Sequence, residues 1–130
     1  MEIDLHKLHV LVVEDNTLTL KLIQAVLKDM SVGQVYTARD GREAQTFLDA
    51  GEDLINLIIC DWNMPRMSGL DLLKQVRMAH PDLPFLMVTA RGTIDSVVAA
   101  KKSGVSGYVV KPFSPAELEQ KVVALARRIG

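Results

Sequence analysis

Polar side chains follow four of the five short apolar segments in this 130-residue chain, and they could share one site. Glu14 and Asp15 follow the first segment, Asp61 the third, Thr89 the fourth and Lys111 the fifth. If these segments are parallel strands, their carboxyl ends lie at the same edge of a sheet. Three carboxylates held together repel one another and raise one another's pKa unless cations lie among them. Lys111 supplies only one positive charge, so the set favours a hard divalent ion with oxygen ligands, best matched by Mg²⁺.

Asp61 is the candidate for the reacting group. It directly follows an apolar run, residues 57–60, and a charge at the end of a buried strand is costly unless it is paired. A carboxylate can act as a nucleophile and accept a phosphoryl group as an aspartyl-phosphate. Such a transfer requires in-line positioning and charge neutralisation, which Lys111 and Mg²⁺ would supply while the Thr89 hydroxyl binds the phosphoryl oxygens.

The apolar runs alternate with amphipathic segments, so that the chain contains five predicted strand–helix units. Nearly continuous apolar strands indicate a sheet buried on both faces, which predicts an α/β fold with a doubly wound, five-stranded parallel sheet flanked by five helices. The predicted strands are residues 9–13, 34–38, 54–60, 84–88 and 107–110. The predicted helices begin near Thr17, Asp40, Ser68, Thr93 and Ser114, each of which is a residue type that favours a helix start.

The helical patterns also predict which side chains are covered. The first helix is apolar over much of its circumference, including Leu18 and Leu22, so we expect it to be well covered. The fourth helix is expected to direct Ile94 and Val98 inward. Trp62, beside Asp61, is expected to be half exposed, where its fluorescence would report metal or phosphate.

Composition restricts the possible classes of protein. The net charge of −1 gives no basic surface for nucleic acid or for an anionic membrane. Residues 1–7 are too polar for a signal peptide, and no apolar run approaches the roughly 20 residues of a membrane span. A single cysteine excludes an internal disulfide. We therefore expect one domain over residues 1–130, in the cytoplasm, without nucleic-acid or membrane partners.

The chain resembles the receiver domains of two-component response regulators, and among them the single-domain chemotaxis receivers, the CheY-like group. The segments that carry the resemblance are LVVED (residues 11–15), DWNMP (61–65), MVTA (87–90) and SGYVVKPF (106–113). Each is weakly specific alone, but their order and spacing along the whole chain are strongly specific. The resemblance implies a flavodoxin-like sheet with strand order 2-1-3-4-5 and a cis peptide bond between Lys111 and Pro112.

The resemblance also assigns roles at the metal and phosphoryl site. Asp61 would be the phosphoacceptor, and Asp15 and Asp61 would bind Mg²⁺ directly. The main-chain carbonyl of Asn63 would complete the protein ligands. Glu14, which stands where the chemotaxis receivers have Asp, would act through a water molecule.

Other positions would respond to phosphorylation. Lys111 would contact the phosphoryl group, Thr89 would move to hydrogen-bond it, and Tyr108 would turn inward. Arg91 replaces an acidic residue of the chemotaxis receivers. With Asn63, it would flank the path of the attacking water and tune the lifetime of the phosphorylated state.

By this resemblance the protein is a phosphorylation-activated response regulator with a histidine kinase as its phosphodonor. It would catalyse only its own phosphoryl transfer and autodephosphorylation, and would not be a turnover enzyme. Its target protein would bind the face made by the fourth helix, fifth strand and fifth helix; a flagellar motor switch is the expected target. A phosphatase could reset it. We expect a monomer with no effector domain, although a piece of a longer regulator is an alternative.

Rival functions remain open to test. The chain could be a shuttle in a phosphorelay, or a pseudo-receiver that binds partners without being phosphorylated. A Mg²⁺-dependent phosphatase would need a second acid two residues after Asp61, where Asn63 stands. A flavodoxin-like cofactor binder would need a Ser/Thr/Gly-rich loop after the first strand, where Glu14 and Asp15 would repel phosphate.

Overall fold

A single five-stranded parallel sheet forms the centre of the molecule, in the order β2-β1-β3-β4-β5. The computed structural model describes residues 4–51 and 54–129. The strands are β1 (His9–Val13), β2 (Gln34–Ala38), β3 (Leu57–Cys60), β4 (Phe85–Thr89) and β5 (Gly107–Val110). The helices are α1 (Thr17–Asp29), α2 (Gly41–Ala50), α3 (Gly69–Ala79), α4 (Ile94–Lys102) and α5 (Pro115–Ile129), and a short 3-10 helix spans Leu5–Lys7. The predicted fold class and strand order are confirmed.

The helices cover both faces of the sheet, which explains why the inner strands are almost wholly apolar. One core lies between the sheet and the pair α1 and α5, and the other lies between the sheet and α2, α3 and α4. All four residues of β3 are buried, because alternate side chains enter the two cores.

Helix starts are fixed close to the strand ends by capping side chains. Asn16, Asp40, Ser68 and Thr93 each accept a hydrogen bond from the backbone N–H three residues on. Each such cap stabilises its helix by about 1 kcal/mol. The connections that follow β1, β2 and β4 are short, whereas the connection from β3 to α3 spans residues 61–68. All four bring a helix N-terminus to the edge of the sheet where the strands end.

Two strand boundaries differ from the prediction. β3 begins at Leu57 rather than at residue 54, because Leu54 is exposed and its N–H turns back to the Gly51 carbonyl. The intervening Asn56 contacts His9 in two ways: its Oδ1 accepts a hydrogen bond from the His9 N–H, and its own N–H donates to the His9 carbonyl. β4 lies one residue later than predicted, over Phe85–Thr89.

The predicted coverage of α1 and α4 is wrong at four side chains. Leu18 and Ile94 are 79% and 82% exposed, and Leu22 and Val98 are exposed as well. A helix on an outer face of the sheet buries only the stripe that it turns toward the sheet and its neighbours. Apolar periodicity therefore overstated how much of each helix is covered.

No helix within residues 4–51 and 54–129 has both the length and the apolar character required to cross a lipid bilayer.

Candidate functional site

Three carboxylates meet at the carboxyl edge of the sheet. One oxygen each from Glu14, Asp15 and Asp61 lies within 4.8 Å of the others. Glu14 and Asp61 are buried whereas Asp15 is exposed. The backbone fixes this arrangement, since Glu14 N–H donates to the Ala38 carbonyl and Asp61 N–H donates to the Val13 carbonyl, each at 3.0 Å. Both acids thus continue the hydrogen-bond ladder of the sheet by one residue.

Lys111 lies between two of these carboxylates. Its Nζ donates to Glu14 Oε1 at 2.7 Å and to Asp61 Oδ2 at 3.1 Å. The backbone N–H of Lys111 donates to the Thr89 carbonyl, and this bond fixes the Lys111 backbone beside β4. The peptide bond that follows, to Pro112, is cis, as the resemblance implied.

The electrostatics of the cluster follow from burial and close contact. Burial is the main reason that the pKa of Glu14 is raised; the charge of Asp61 adds to the rise, and the hydrogen bond from Lys111 partly opposes it. Burial acts to lower the pKa of Lys111, but its hydrogen bonds to Glu14 and Asp61 and their negative charges outweigh burial and raise it. Lys111 therefore stays charged, and one ammonium among three carboxylates leaves two negative charges.

This donor set fits a hard divalent cation. It offers only carboxylate oxygens, which are the ligands that Mg²⁺ and Ca²⁺ prefer, and it carries an excess of negative charge. Asn63 lies next to the cluster, since its N–H donates to Asp61 Oδ1 at 3.3 Å. The three carboxylates and the backbone N–H of Asn63 therefore lie together at this edge of the sheet.

Arg91 covers the loop that follows Asp61. Its Nε donates to Asn63 Oδ1 at 2.9 Å, and its guanidinium lies 4.9 Å from the centre of the Trp62 ring. A cation over an indole face at this distance is attracted to the ring. Trp62 is only 8% exposed, so the expectation of half exposure is wrong. Trp62 is buried by residues that are distant from it in the sequence, and Arg91 is one of them.

Thr89 and Tyr108 both meet the backbone of Arg91. Thr89 is fully buried, and its Oγ1 accepts a hydrogen bond from the Arg91 N–H at 3.3 Å. The Tyr108 hydroxyl donates to the Arg91 carbonyl. Burial raises the pKa of Tyr108. Among the residues that the structure describes, neither hydroxyl is hydrogen-bonded to Asp61, so their switch roles stay predictions.

Two features of the site were not foreseen from the sequence. Asp40 was expected only to cap α2, which it does, but its second oxygen also accepts a hydrogen bond from Arg66 in the loop after Asp61. Gly69 closes the same loop, because a Cβ there would lie 2.0 Å from the Asp61 carbonyl oxygen. The Asp-Gly-x-Glu pattern at residues 40–43 explained the cap and gave no sign of the second contact.

Comparison with known proteins gives consistent matches over most of the chain. A family model described as the response regulator receiver domain matches residues 10–123. A curated relative, the Chemotaxis protein CheY homolog of Campylobacter jejuni, is 40% identical over 114 residues, which are 86% of this chain and 87% of the relative.

Solved structures agree with this match. Chemotaxis response regulator CheY4 of Vibrio cholerae is 33% identical with a TM-score of 0.81, over 91% of this chain and 98% of that one. CheY in the CheX–CheY–BeF₃–Mg²⁺ complex from Borrelia burgdorferi is 25% identical with a TM-score of 0.87, over 91% and 88% of the two chains.

Proposed function

This chain belongs to the receiver domain family of two-component response regulators and is CheY-like, and on that premise we propose that Asp61 accepts a phosphoryl group from a histidine kinase. The observation that carries the proposal is the contact of the Lys111 ammonium with both Glu14 and Asp61 inside a cluster of three carboxylates. A buried acid beside a fixed cation is suited to take up an anionic group whose charge must be neutralised.

The proposed transfer is a displacement at phosphorus. An Asp61 carboxylate oxygen forms the new O–P bond as the N–P bond of a phosphohistidine breaks. The imidazole leaves with its electron pair and takes a proton from solvent. The Asn63 N–H donates a hydrogen bond to one Asp61 oxygen, and the Lys111 ammonium donates to the other. These two bonds fix the orientation of the carboxylate toward the phosphohistidine.

The metal in this proposal is Mg²⁺. Asp15, Asp61 and the main-chain carbonyl of Asn63 would hold it, with Glu14 acting through water. When bound, the ion would neutralise the negative charge of the phosphoryl oxygens. The structure of the Borrelia burgdorferi relative, described with both BeF₃ and Mg²⁺, supports this choice of ion.

The proposed output is a change in partner binding at the face formed by α4, β5 and α5. Ile94, Val98 and Val110 are exposed apolar side chains of α4 and β5, and a groove of about 290 Å³ lies between β5 and α5. Tyr108 lines that groove, and its hydroxyl donates a hydrogen bond to the Arg91 carbonyl. In this proposal, Tyr108 transmits the effect of phosphorylation from the site to the groove. The curated relative supports a target in chemotaxis, and the target proposed here is a flagellar motor switch. The CheX complex supports a second protein partner, and the partner proposed for this chain is a phosphatase.

The test is phosphorylation by acetyl phosphate with and without Mg²⁺, read by intact-protein mass spectrometry and Trp62 fluorescence. We expect wild type to gain one phosphoryl group only with Mg²⁺. Asp61→Asn should gain none, whereas Asp71→Asn, which removes an exposed acid from the first turn of α3, should behave as wild type.

Absence of a phosphoryl group on wild type would overturn the proposal and favour a pseudo-receiver. Phosphorylation of Asp61→Asn would overturn the assignment of the acceptor. Onward transfer from Asp61 to a histidine phosphotransfer domain would establish the shuttle function instead of a terminal response regulator.

A further inference from the structure

The loop between β3 and α3 (residues 61–68) contains a strained turn at Arg66. Its φ angle is +68°, a left-handed conformation that residues with a side chain adopt infrequently. The Met67 N–H donates to the Pro65 carbonyl at 2.8 Å, which closes a three-residue turn around Arg66. A three-residue turn with positive φ at its centre is rare and strained. Contacts outside the turn must therefore stabilise it.

An ion pair with Asp40 is one such contact. Arg66 Nη1 donates to Asp40 Oδ2 at 3.0 Å, and the Asp40 side chain is buried although Arg66 is largely exposed. The other Asp40 oxygen accepts the N–H of Glu43 at 2.8 Å as the cap of α2. Asp40 therefore uses both oxygens, one to begin α2 and one to hold the loop.

Close packing supports the same connection. A Cβ at Gly41 would lie 2.6 Å from the Met67 carbonyl oxygen, so the first residue of α2 contacts the turn directly. At the other end of the loop, Gly69 N–H donates to the Trp62 carbonyl at 2.8 Å. Asn63 lies between these two anchors, so its backbone position depends on both.

We propose that Asp40 and Arg66 are positioning residues that hold the β3–α3 loop and so place the Asn63 carbonyl beside Asp61 for Mg²⁺. This inference rests on the proposed function, because it is that function which makes Asn63 a metal ligand. Neither residue touches the reacting atoms. Their effect passes through the backbone of the loop.

The first test is a Mg²⁺ titration followed by Trp62 fluorescence. We expect Asp40→Asn and Arg66→Met each to bind Mg²⁺ about tenfold more weakly, the lower end of the range for partners of metal ligands. Asn is as good a helix cap as Asp, so α2 should still begin at the same residue. Arg66→Lys keeps the charge and should retain most of the affinity. Asp49→Asn, an exposed acid on α2, is the matched control.

Two further readouts separate positioning from general damage. Saturating Mg²⁺ should restore the rate of phosphorylation of Asp40→Asn to that of wild type. The double variant of Asp40→Asn and Arg66→Met should bind Mg²⁺ no more weakly than either single variant, because both remove the same ion pair.

Hydrogen exchange without Mg²⁺ tests the loop independently of the metal. In Asp40→Asn the amides of residues 63, 64, 66 and 67 should exchange faster, while those of β3 and α3 should not change. Unchanged exchange there, or unchanged Mg²⁺ affinity in both variants, would refute the inference and leave the proposed function intact. Failure of wild type to bind Mg²⁺ would instead refute the proposed function, and the inference with it.

Discussion

Lys111→Met should destabilise the protein, because it removes the only ammonium group that contacts Glu14 and Asp61 in the described structure. Methionine keeps an unbranched stem of similar length, so the substitution removes charge with little loss of packing. The two carboxylates would then face each other without their shared cation.

The geometry of the cluster sets the size of this effect. At a separation of 4.8 Å, the upper limit for the oxygens of the cluster, two unit charges repel by about 3.5 kcal/mol at an effective dielectric constant of about 20. The Glu14 and Asp61 side chains are only 1% and 8% exposed. Loss of one partner from a buried ion pair costs about 3–5 kcal/mol. Because the Lys111 side chain is 20% exposed, solvent screening should reduce the loss to about 2–3 kcal/mol at pH 8.

The loss should also depend on pH. Burial already raises the pKa of Glu14 above its ordinary value of 4.5, and removing the Lys111 hydrogen bond raises it further. Above that ordinary value the folded variant binds more protons than the unfolded chain, so its free energy of unfolding falls as pH rises. The destabilisation should therefore be smaller at pH 5 than at pH 8.

The assay is urea unfolding at both pH values in the presence of a chelator. Lys74→Met, on the exposed side of α3, is the control for loss of a lysine charge. Adding Asp61→Asn to Lys111→Met should recover most of the lost stability, because it removes the repulsion. If Lys111→Met unfolds like Lys74→Met at both pH values, then Lys111 does not stabilise the carboxylate pair and the electrostatic reasoning is wrong.

Three other variants test separate parts of the structure. Glu14→Gln should raise the free energy of unfolding at pH 7 and not at pH 4, because burial penalises only the charged carboxylate. A lower free energy of unfolding in urea at pH 7 would contradict this. Gly69→Ala places a methyl group 2.0 Å from the Asp61 carbonyl oxygen, so the free energy of unfolding should fall by about 3 kcal/mol and phosphorylation should be slower. An unchanged midpoint of thermal unfolding would refute the close approach. Arg77→Met should lower the free energy of unfolding in urea by about 2–3 kcal/mol, since the Arg77 guanidinium donates hydrogen bonds to three carbonyls and a hydroxyl around the end of α3. If Arg77→Lys is as stable as wild type, the planar arrangement of the guanidinium donors is unimportant.

Much of the candidate site could be predicted because its members are strand-end residues. A strand buried on both faces must be nearly all apolar, so the point where the apolar run stops identifies Glu14, Asp61 and Lys111 directly. Parallel strands then bring these ends to one edge. The order of the strands is not written in any local pattern and came from resemblance to the receiver family.

Several unforeseen features depend on contacts between distant parts of the chain. Periodicity shows which residues share a helix face, but coverage of that face depends on neighbouring elements, and hence Leu18 and Ile94 are exposed. Trp62 is buried in part because Arg91, on another loop, lies over its ring.

Local polarity and capping are enough to predict the alternation of strands and helices, the burial of the sheet and the residue types at its carboxyl edge. The contacts of Lys111 with Glu14 and Asp61, and the ion pair of Asp40 with Arg66, come instead from tertiary packing. Such contacts depend on where separate elements pack to within a few ångströms of one another. No spacing along the chain encodes those distances.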